Sequence, residues 1–461
     1  MIWQGHEQKA HALKVAIIGA GWAGLAAAVT ATQAGHSATV LEATHAYGGR
    51  ARALKSLQNC TLPDGTPVTL DNGQHILIGA YTDTLRLMRQ VGVNPDDALL
   101  SLPMALQFPD GQGLRFKSWP TPLDALGGIL GARGWSFSDK ASLLRAALGW
   151  QRKGFSCAAS LSVADLCCGL TAKVNAELID PLCVSALNTP ASRASAEVFL
   201  RVLRDALFGV QGGSRLLLPR VDLSALFPDA AVAWLQQNGA QVRPGHRVQS
   251  LQMQREVQED RQSKLRAGGW QLDGEPFDAV ILATSASNAA IALMNSASIA
   301  TESVAIQIQQ WAALCQTLRF EAIATVYVWA AEARLAQPML TLRSRSQHPA
   351  QFVFDRGQLG GPAGLLAFVV SAAEGDRATL ETQVLAQAQA QLGMTLHLLQ
   401  TVVEKRATFA CTPALQRPPA RIAPGLLACG DYVDGPYPAS LEGAVRSGMA
   451  TANALPACHA A

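Results

Sequence analysis

The sequence predicts an α/β fold. A parallel sheet covered by helices and assembled from separated stretches of chain is joined to a mixed α+β lobe that carries a helical insertion. Three observations point to this. An apolar, β-branched run, Lys14 to Ile18, passes through glycines into the Ala-rich stretch Gly24 to Ala34, and Ala38 to Glu42 then reads as a second buried strand. Such a βαβ unit with continuous apolar strands suits a parallel sheet covered on both faces. Much later Val242, His246 to Met253, Gly269 to Leu272 and Phe277 to Thr284 (FDAVILAT) read as further strands. A second glycine-rich segment, Leu427 to Gly448 (LACGDYVDGPYPASLEGAVRSG), lies near the other end of the sequence.

Composition bounds what these elements can do. With 461 residues, 49% of them hydrophobic and only 15% charged, the chain can bury a large core and should divide into more than one lobe. The net charge is +3, and Lys and Arg are scattered without interleaved aromatics, which argues against nucleic acid as a ligand. Nine cysteines include the adjacent Cys167 and Cys168, but no CxxC recurs and no His cluster has zinc spacing. Reduced packing cysteines and no metal are expected. The opening segment MIWQGHEQKAHAL lacks an apolar core of signal-peptide length and reads as a frayed leader. No apolar run reaches the roughly 18 residues of a membrane span. The expectation is a cytoplasmic protein with at most peripheral contact at the inner face of a membrane.

Between the two glycine-rich segments the character alternates. From Tyr81 to Arg204 the pattern is helical with Pro and Gly breaks, as in TPLDALGGILGARGW from Thr121 to Trp135, and this reads as the insertion. Gln254 to Arg266 is polar and charged, most simply a hairpin tip. Phe320 to Trp329 and Gly364 to Ala372 read as strands, and Ala378 to Leu392 as an amphipathic helix. The expected boundaries place residues 1–80, 212–287 and 405–461 in a discontinuous nucleotide-binding domain. Residues 81–211 and 288–404 then form the substrate lobe with its insertion.

In the opening segment KVAIIGAGWAG each glycine has a physical task. Gly19 permits the tight turn after the strand, Gly21 lets backbone approach a pyrophosphate, and Gly24 lets the helix pack close to the sheet. A helix beginning near Ala20 presents free N–H groups and a positive dipole end to phosphates. Glu42, at the end of the second strand, is placed to accept hydrogen bonds from ribose hydroxyls. Strand, glycine turn, helix and acid at this spacing read as a dinucleotide site.

Further residues carry a resemblance. Gly48, Gly49 and Arg50, followed by Arg52, resemble the GGR element of flavoprotein amine oxidases and carotenoid-type desaturases, and Gly430 and Asp431 resemble their GD pair. Pro438 to Gly448 resembles the helix whose N-terminus faces the flavin in that family. The resemblance implies an amine oxidase-like, Rossmann-like FAD domain. It implies FAD as the cofactor, with Val248, Glu442 and Ala444 joining Gly19, Gly21, Gly24, Glu42, Gly49, Arg50, Gly430 and Asp431 around it. A helix N-terminus suits the negative charge of a reduced flavin. Leu70 to Tyr81 (LDNGQHILIGAY), TLRLMRQVG through Gly92, and Ala407 to Pro418 (ATFACTPALQRP) are similar to the squalene-associated FAD-dependent desaturase group. That likeness implies reductive dehydroxylation of hydroxysqualene to squalene, a precursor step of hopanoid synthesis, with an electron donor that the sequence does not identify.

Removing hydroxide requires an acid beside the hydroxyl. His75 is the first candidate, with the alternative that it hydrogen-bonds the flavin or a buried backbone group. Asp71 is the second, although Asp-Asn-Gly is also a natural turn. Tyr437 has the readings of donor or helix-entry turn, and Glu442 and Asp434 those of flavin contact or local electrostatics. Arg201, Arg204 and Arg215 read as solvated faces. The apolar residues of Ser101 to Phe108 and Trp135 to Phe137 are candidate walls for a C30 chain, or ordinary core. An apolar membrane-facing patch on the insertion suits such a substrate. The competing functions are an FAD-dependent desaturase or amine oxidase, and a non-enzymatic prenyl-chain carrier. The carrier is disfavoured because Glu42, Arg50 and the GD-to-helix segment are all present.

Overall fold

A computed structural model describes residues 12–54, 60–254, 269–297 and 301–456. Its central layer is a six-stranded sheet in the spatial order Arg421–Ala423, Leu426–Ala428, Ala279–Leu282, Lys14–Ile18, Ser37–Glu42 and Gln241–Pro244. All neighbours are parallel except the outermost pair, Arg421–Ala423 with Leu426–Ala428. Lys14–Ile18 lies near the middle because its side chains are buried on both faces. Three distant stretches of sequence therefore meet in one sheet.

The helix Trp22–Gln33 covers that sheet and buries ten of its twelve residues. A helix apolar all round needs cover on every side. The sheet supplies one side, and the helix Leu441–Asn453 supplies another through a glycine contact: a Cβ at Gly448 would stand 2.1 Å from Ala23 O. Gly24 makes the same close approach toward the sheet, where a Cβ would lie 1.9 Å from Gly19 O.

The second lobe rests on a five-stranded antiparallel sheet in the order Met339–Thr341, Phe352–Asp355, Leu365–Ser371, Phe320–Trp329 and His397–Phe409, backed by the helix Arg377–Leu392. His397–Phe409 pairs with Phe320–Trp329 as far as Phe320 opposite Phe409, so the boundary expected between residues 404 and 405 falls inside one strand.

Other expectations are corrected in detail. The run from His246 to Ser250 is not strand. The Asp273 carboxylate accepts from Gln249 N at 3.0 Å and Ser250 N at 2.7 Å, taking the N–H groups that a neighbouring strand would have used. Phe277 to Thr284 divides into Glu275–Phe277 and Ala279–Leu282 around Asp278, whose side chain accepts from Lys14 N. The insertion is not wholly helical. Leu99–Leu102 pairs with Leu216–Pro219, and Ala105–Gln107 pairs with Gly113–Arg115. Residues 255–266 of the expected hairpin tip and nearly all of the leader lie outside the described residues. Among the described residues no helix is long and apolar enough to cross a membrane.

Candidate functional site

Two adjoining cavities occupy the junction of the lobes. The larger, about 830 Å³, opens where the parallel strands Lys14–Ile18 and Ser37–Glu42 end. Gly19, Gly21, Glu42, Gly49, Arg50, Val248, Gly430, Asp431 and Ala444 all contribute to its walls, whereas Gly24 serves only the helix packing behind it.

The geometry at the strand ends follows from side chains being absent. Gly19 has φ +113° and a Cβ there would stand 2.7 Å from Ala283 O, so only glycine fits. Gly49, with φ +60°, packs directly against Gly21, and a Cβ on it would lie 3.3 Å from Gly21 Cα. The helix above begins at Trp22, with Gly21 as its N-cap and no capping side chain. Adjoining stretches of bare backbone and an uncapped helix N-terminus make a cradle for phosphate. Glu42 sits at its edge, accepting from Ala20 N at 2.8 Å and from Thr44 N and Oγ1 at 2.9 Å.

Arg50 ties the two ends of the chain together. Its guanidinium donates to Asp431 and to Ala407 O, and Asn72 in turn donates to Arg50 O. Val248 reaches the wall because Asp273 holds its loop. The helix Leu441–Asn453 starts at the same cavity, capped by Ser440, which accepts from Gly443 N at 3.0 Å. A nucleotide cradle, an acid at the ribose end and a second helix N-terminus fit an FAD molecule.

Glu442 does not join this wall. It is fully buried and turned toward the helix Thr82–Gln90, where it accepts from Asp83 N, Thr84 N and Thr84 Oγ1 at 3.1, 2.9 and 2.7 Å, and from Arg446 Nε at 2.7 Å. That helix has Tyr81 as an N-cap without a capping side chain, so Glu442 supplies the missing acceptor from far along the chain.

Asp71 is also turned away. It is 4% exposed and walls neither cavity; Oδ1 accepts from Leu223 N at 2.9 Å and its backbone carbonyl accepts from Tyr327 Oη at 3.0 Å. Burial pushes its carboxyl up to about 7, against the pull of the Leu223 N–H and Arg356. The residue fastens the turn to its neighbours. Asp434 lies at the surface beside Arg417.

His75 does line the cavity, half-buried, with Nδ1 3.1 Å from Gly73 O. A carbonyl only accepts, so Nδ1 carries the hydrogen and Nε2 of the neutral ring is an acceptor. Burial and then the Arg50 cation lower its pKa, despite the Gly73 bond. A neutral ring with Nε2 as acceptor has to gain a proton before it can act as an acid.

The second cavity, about 370 Å³, is walled almost wholly by apolar side chains, among them Met104, Leu106, Phe116, Ile129, Leu178 and Met339. Ile76, Tyr81, Ser185, Ala186, Phe352 and Ser440 wall both cavities, so the two adjoin. Leu178 and Ile179 belong to a π-helical turn, Asn175–Ile179, that distorts the helical run at this wall. Of the expected walls Met104 and Leu106 are present. Trp135 is instead core, donating to Glu177 Oε2 at 2.9 Å, and Phe137 is 88% exposed.

Tyr437 stands in the apolar cavity and donates to Asp205 Oδ2 at 2.7 Å. Burial and then Asp205 push its phenol up to about 12, so it stays protonated at neutral pH. Arg446 lies 4.6 Å over the Tyr437 ring, and Arg204 Nε donates to the other Asp205 oxygen at 2.9 Å. Asp205 escaped the sequence reading because its one visible context was a helical, partly charged run next to Arg204.

The flavin-containing amine oxidoreductase family matches residues 22–456. The chain is 28% identical to a hydroxysqualene dehydroxylase of Sinorhizobium fredii, over 95% of this chain and 97% of that one. It is 27% identical to a hydroxysqualene dehydroxylase of Rhodopseudomonas palustris with the same coverage. Its fold is similar to that of an oxidoreductase from Methanosarcina mazei, with a TM-score of 0.66 at 17% identity over 96% of this chain and all of the other. With a phosphate cradle, a matching acid and two helix N-termini on one cavity, and a family match over nearly its whole length, the chain belongs to the flavin-containing amine oxidoreductases and is an FAD-dependent oxidoreductase.

Proposed function

We propose that the protein removes the hydroxyl of hydroxysqualene reductively, giving squalene. The observation that carries this reading is the apolar cavity against the cofactor cavity, with Tyr437 and Asp205 as a polar pair inside it. A C30 hydrocarbon suits such apolar walls, which leave few polar anchors for anything else. The relatives named above, matched over nearly their whole length, support the same substrate.

FAD held by Gly19, Gly21, Glu42, Gly49, Arg50 and Asp431 would, once reduced by an electron donor, supply the hydride for the allylic carbon. The chain supplies the rest. Tyr437 Oη turns its hydrogen from Asp205 to the departing hydroxyl and passes that proton on, the C–O bond breaks, and water leaves. The reaction balances as one alcohol, one hydride and one proton giving one hydrocarbon and one water. Arg446 over the phenol ring offsets the charge left on Tyr437, and Arg204 holds Asp205 in place. His75, held by its Nδ1 contact with Gly73 O, stays in the wall of the cofactor cavity.

The test is anaerobic. FAD-loaded protein is photoreduced, hydroxysqualene is added, and flavin absorbance is followed while squalene is measured by mass spectrometry. Reoxidation with equimolar squalene is expected. Flavin that stays reduced, with no squalene formed, overturns the reading.

A further inference from the structure

Four side chains that wall the apolar cavity also reach the surface. Leu123, Leu126, Leu148 and Phe208 are 53%, 41%, 51% and 41% exposed. On the helix Leu123–Leu130, residues 123, 126 and 130 lie at i, i+3 and i+7, one stripe along one face. Trp119, itself 55% exposed, packs on that helix at Gly127, where a Cβ would stand 2.5 Å from its ring. Lys140 Nζ donates to Leu130 O at 2.8 Å, which joins the end of this helix to the next, whose first residue is the exposed Phe137. A contiguous apolar face of this kind on a folded chain marks a contact surface.

The charges around it identify the partner. Residues 111–160 contain seven basic side chains (Arg115, Lys117, Arg133, Lys140, Arg145, Arg152 and Lys153) and two acids, Asp124 and Asp139, both buried. Asp124 accepts from Ser214 Oγ at 3.0 Å, and Asp139 is used by its capping box and by Thr171 Oγ1 at 2.6 Å. The charge this segment presents is therefore positive throughout.

We propose that this face docks on an anionic lipid surface, its apolar stripe entering the acyl boundary and the mouth of the cavity opening into lipid. The proposal rests on reading the cavity as an isoprenoid site, because such a chain would reach it from lipid without crossing water. A second copy of the protein is a poorer occupant, since a two-fold contact here would set like charges against each other.

The test uses FAD-loaded protein sedimented with vesicles of phosphatidylcholine alone or with a third phosphatidylglycerol. Strong partition onto the anionic vesicles only is expected. Arg145→Gln/Arg152→Gln/Lys153→Gln should weaken it on the order of a hundredfold, at about fivefold per cation. Leu130→Gln/Phe137→Gln, which leaves the cavity walls intact, should weaken it at least about tenfold. Flavin absorbance and circular dichroism report whether each variant is folded. Protein that stays in the supernatant with both vesicles, or folded variants that partition like the parent, overturns the proposal. So does a dimer that Leu130→Gln/Phe137→Gln dissolves without any vesicle binding. Turnover in detergent separates the two readings: squalene formed without vesicle binding overturns the docking alone, and vesicle binding without squalene overturns the function alone.

Discussion

The two cavities are built by opposite means. The cofactor cavity is made of backbone, where Gly19, Gly21 and Gly49 leave side chains out so that strand ends and helix N-termini come close to a ligand. The apolar cavity is made of side chains brought from Ile76 to Ser440 by long-range packing, and its one hydrogen-bonded tyrosine–carboxylate pair joins residues 232 positions apart. Backbone sites tolerate no added atoms, whereas side-chain sites tolerate change until the polar pair is touched. Binding the nucleotide and choosing the substrate are thus separable properties of this chain.

That separation can be broken at several points. The largest effect is expected for Gly24→Val, because even a Cβ would meet Gly19 O at 1.9 Å. Overpacking of this kind costs about 3 kcal/mol or more, and little flavin-loaded protein should be recovered; normal flavin content and melting temperature would show that the packing behind the cradle is not closed to side chains. Next comes Asp71→Asn. The Asp71 carboxyl lies at about 7 in the folded protein and 3.8 ordinarily, so the folded state binds the extra proton between those values. Stability then falls as pH rises from about 4 to 7, by ~4 kcal/mol at most, and is level in this term above that range. An amide at this position does not titrate, so the substitution should flatten that fall in denaturant unfolding measured across the window. An unchanged slope would remove the buried-acid account.

Tyr437→Phe is expected to lower dehydroxylation about a hundredfold with flavin content unchanged. Full activity would take the acid away from this pair. Glu442→Gln, in a segment that resembles a flavin contact, should cost about 2 kcal/mol of stability while leaving the flavin spectrum in place. A large spectral shift with unaltered stability would return Glu442 to the cofactor. His75→Ala should cost less than about tenfold in turnover, the worth of one net hydrogen bond. A loss as large as that of Tyr437→Phe would restore it as the acid.

The cofactor cavity was legible because its requirements are local. A strand, a turn that only glycine makes and a helix follow one another within Lys14 to Gln33, and Glu42 ends the next strand. Arg50 and Asp431 were legible through resemblance, although their pairing was not. Glu442 shows the limit: its place beside the flavin segment pointed to a ligand, while its carboxylate caps a helix that begins at Thr82. Asp71 and His75 show another, since their residue types suit acids and only burial decides which protons they hold.

By itself the sequence determined that a βαβ unit with a glycine turn would hold a dinucleotide and that distant segments would share it, because turn sterics and apolar strand runs act between near neighbours. Tertiary structure alone decided that Asp205 meets Tyr437, that Glu442 turns away, and that side chains walling the apolar cavity also reach the surface. Those outcomes depend on which surfaces pack across hundreds of residues, and burial and pairing, not residue type, set what each polar group can do there.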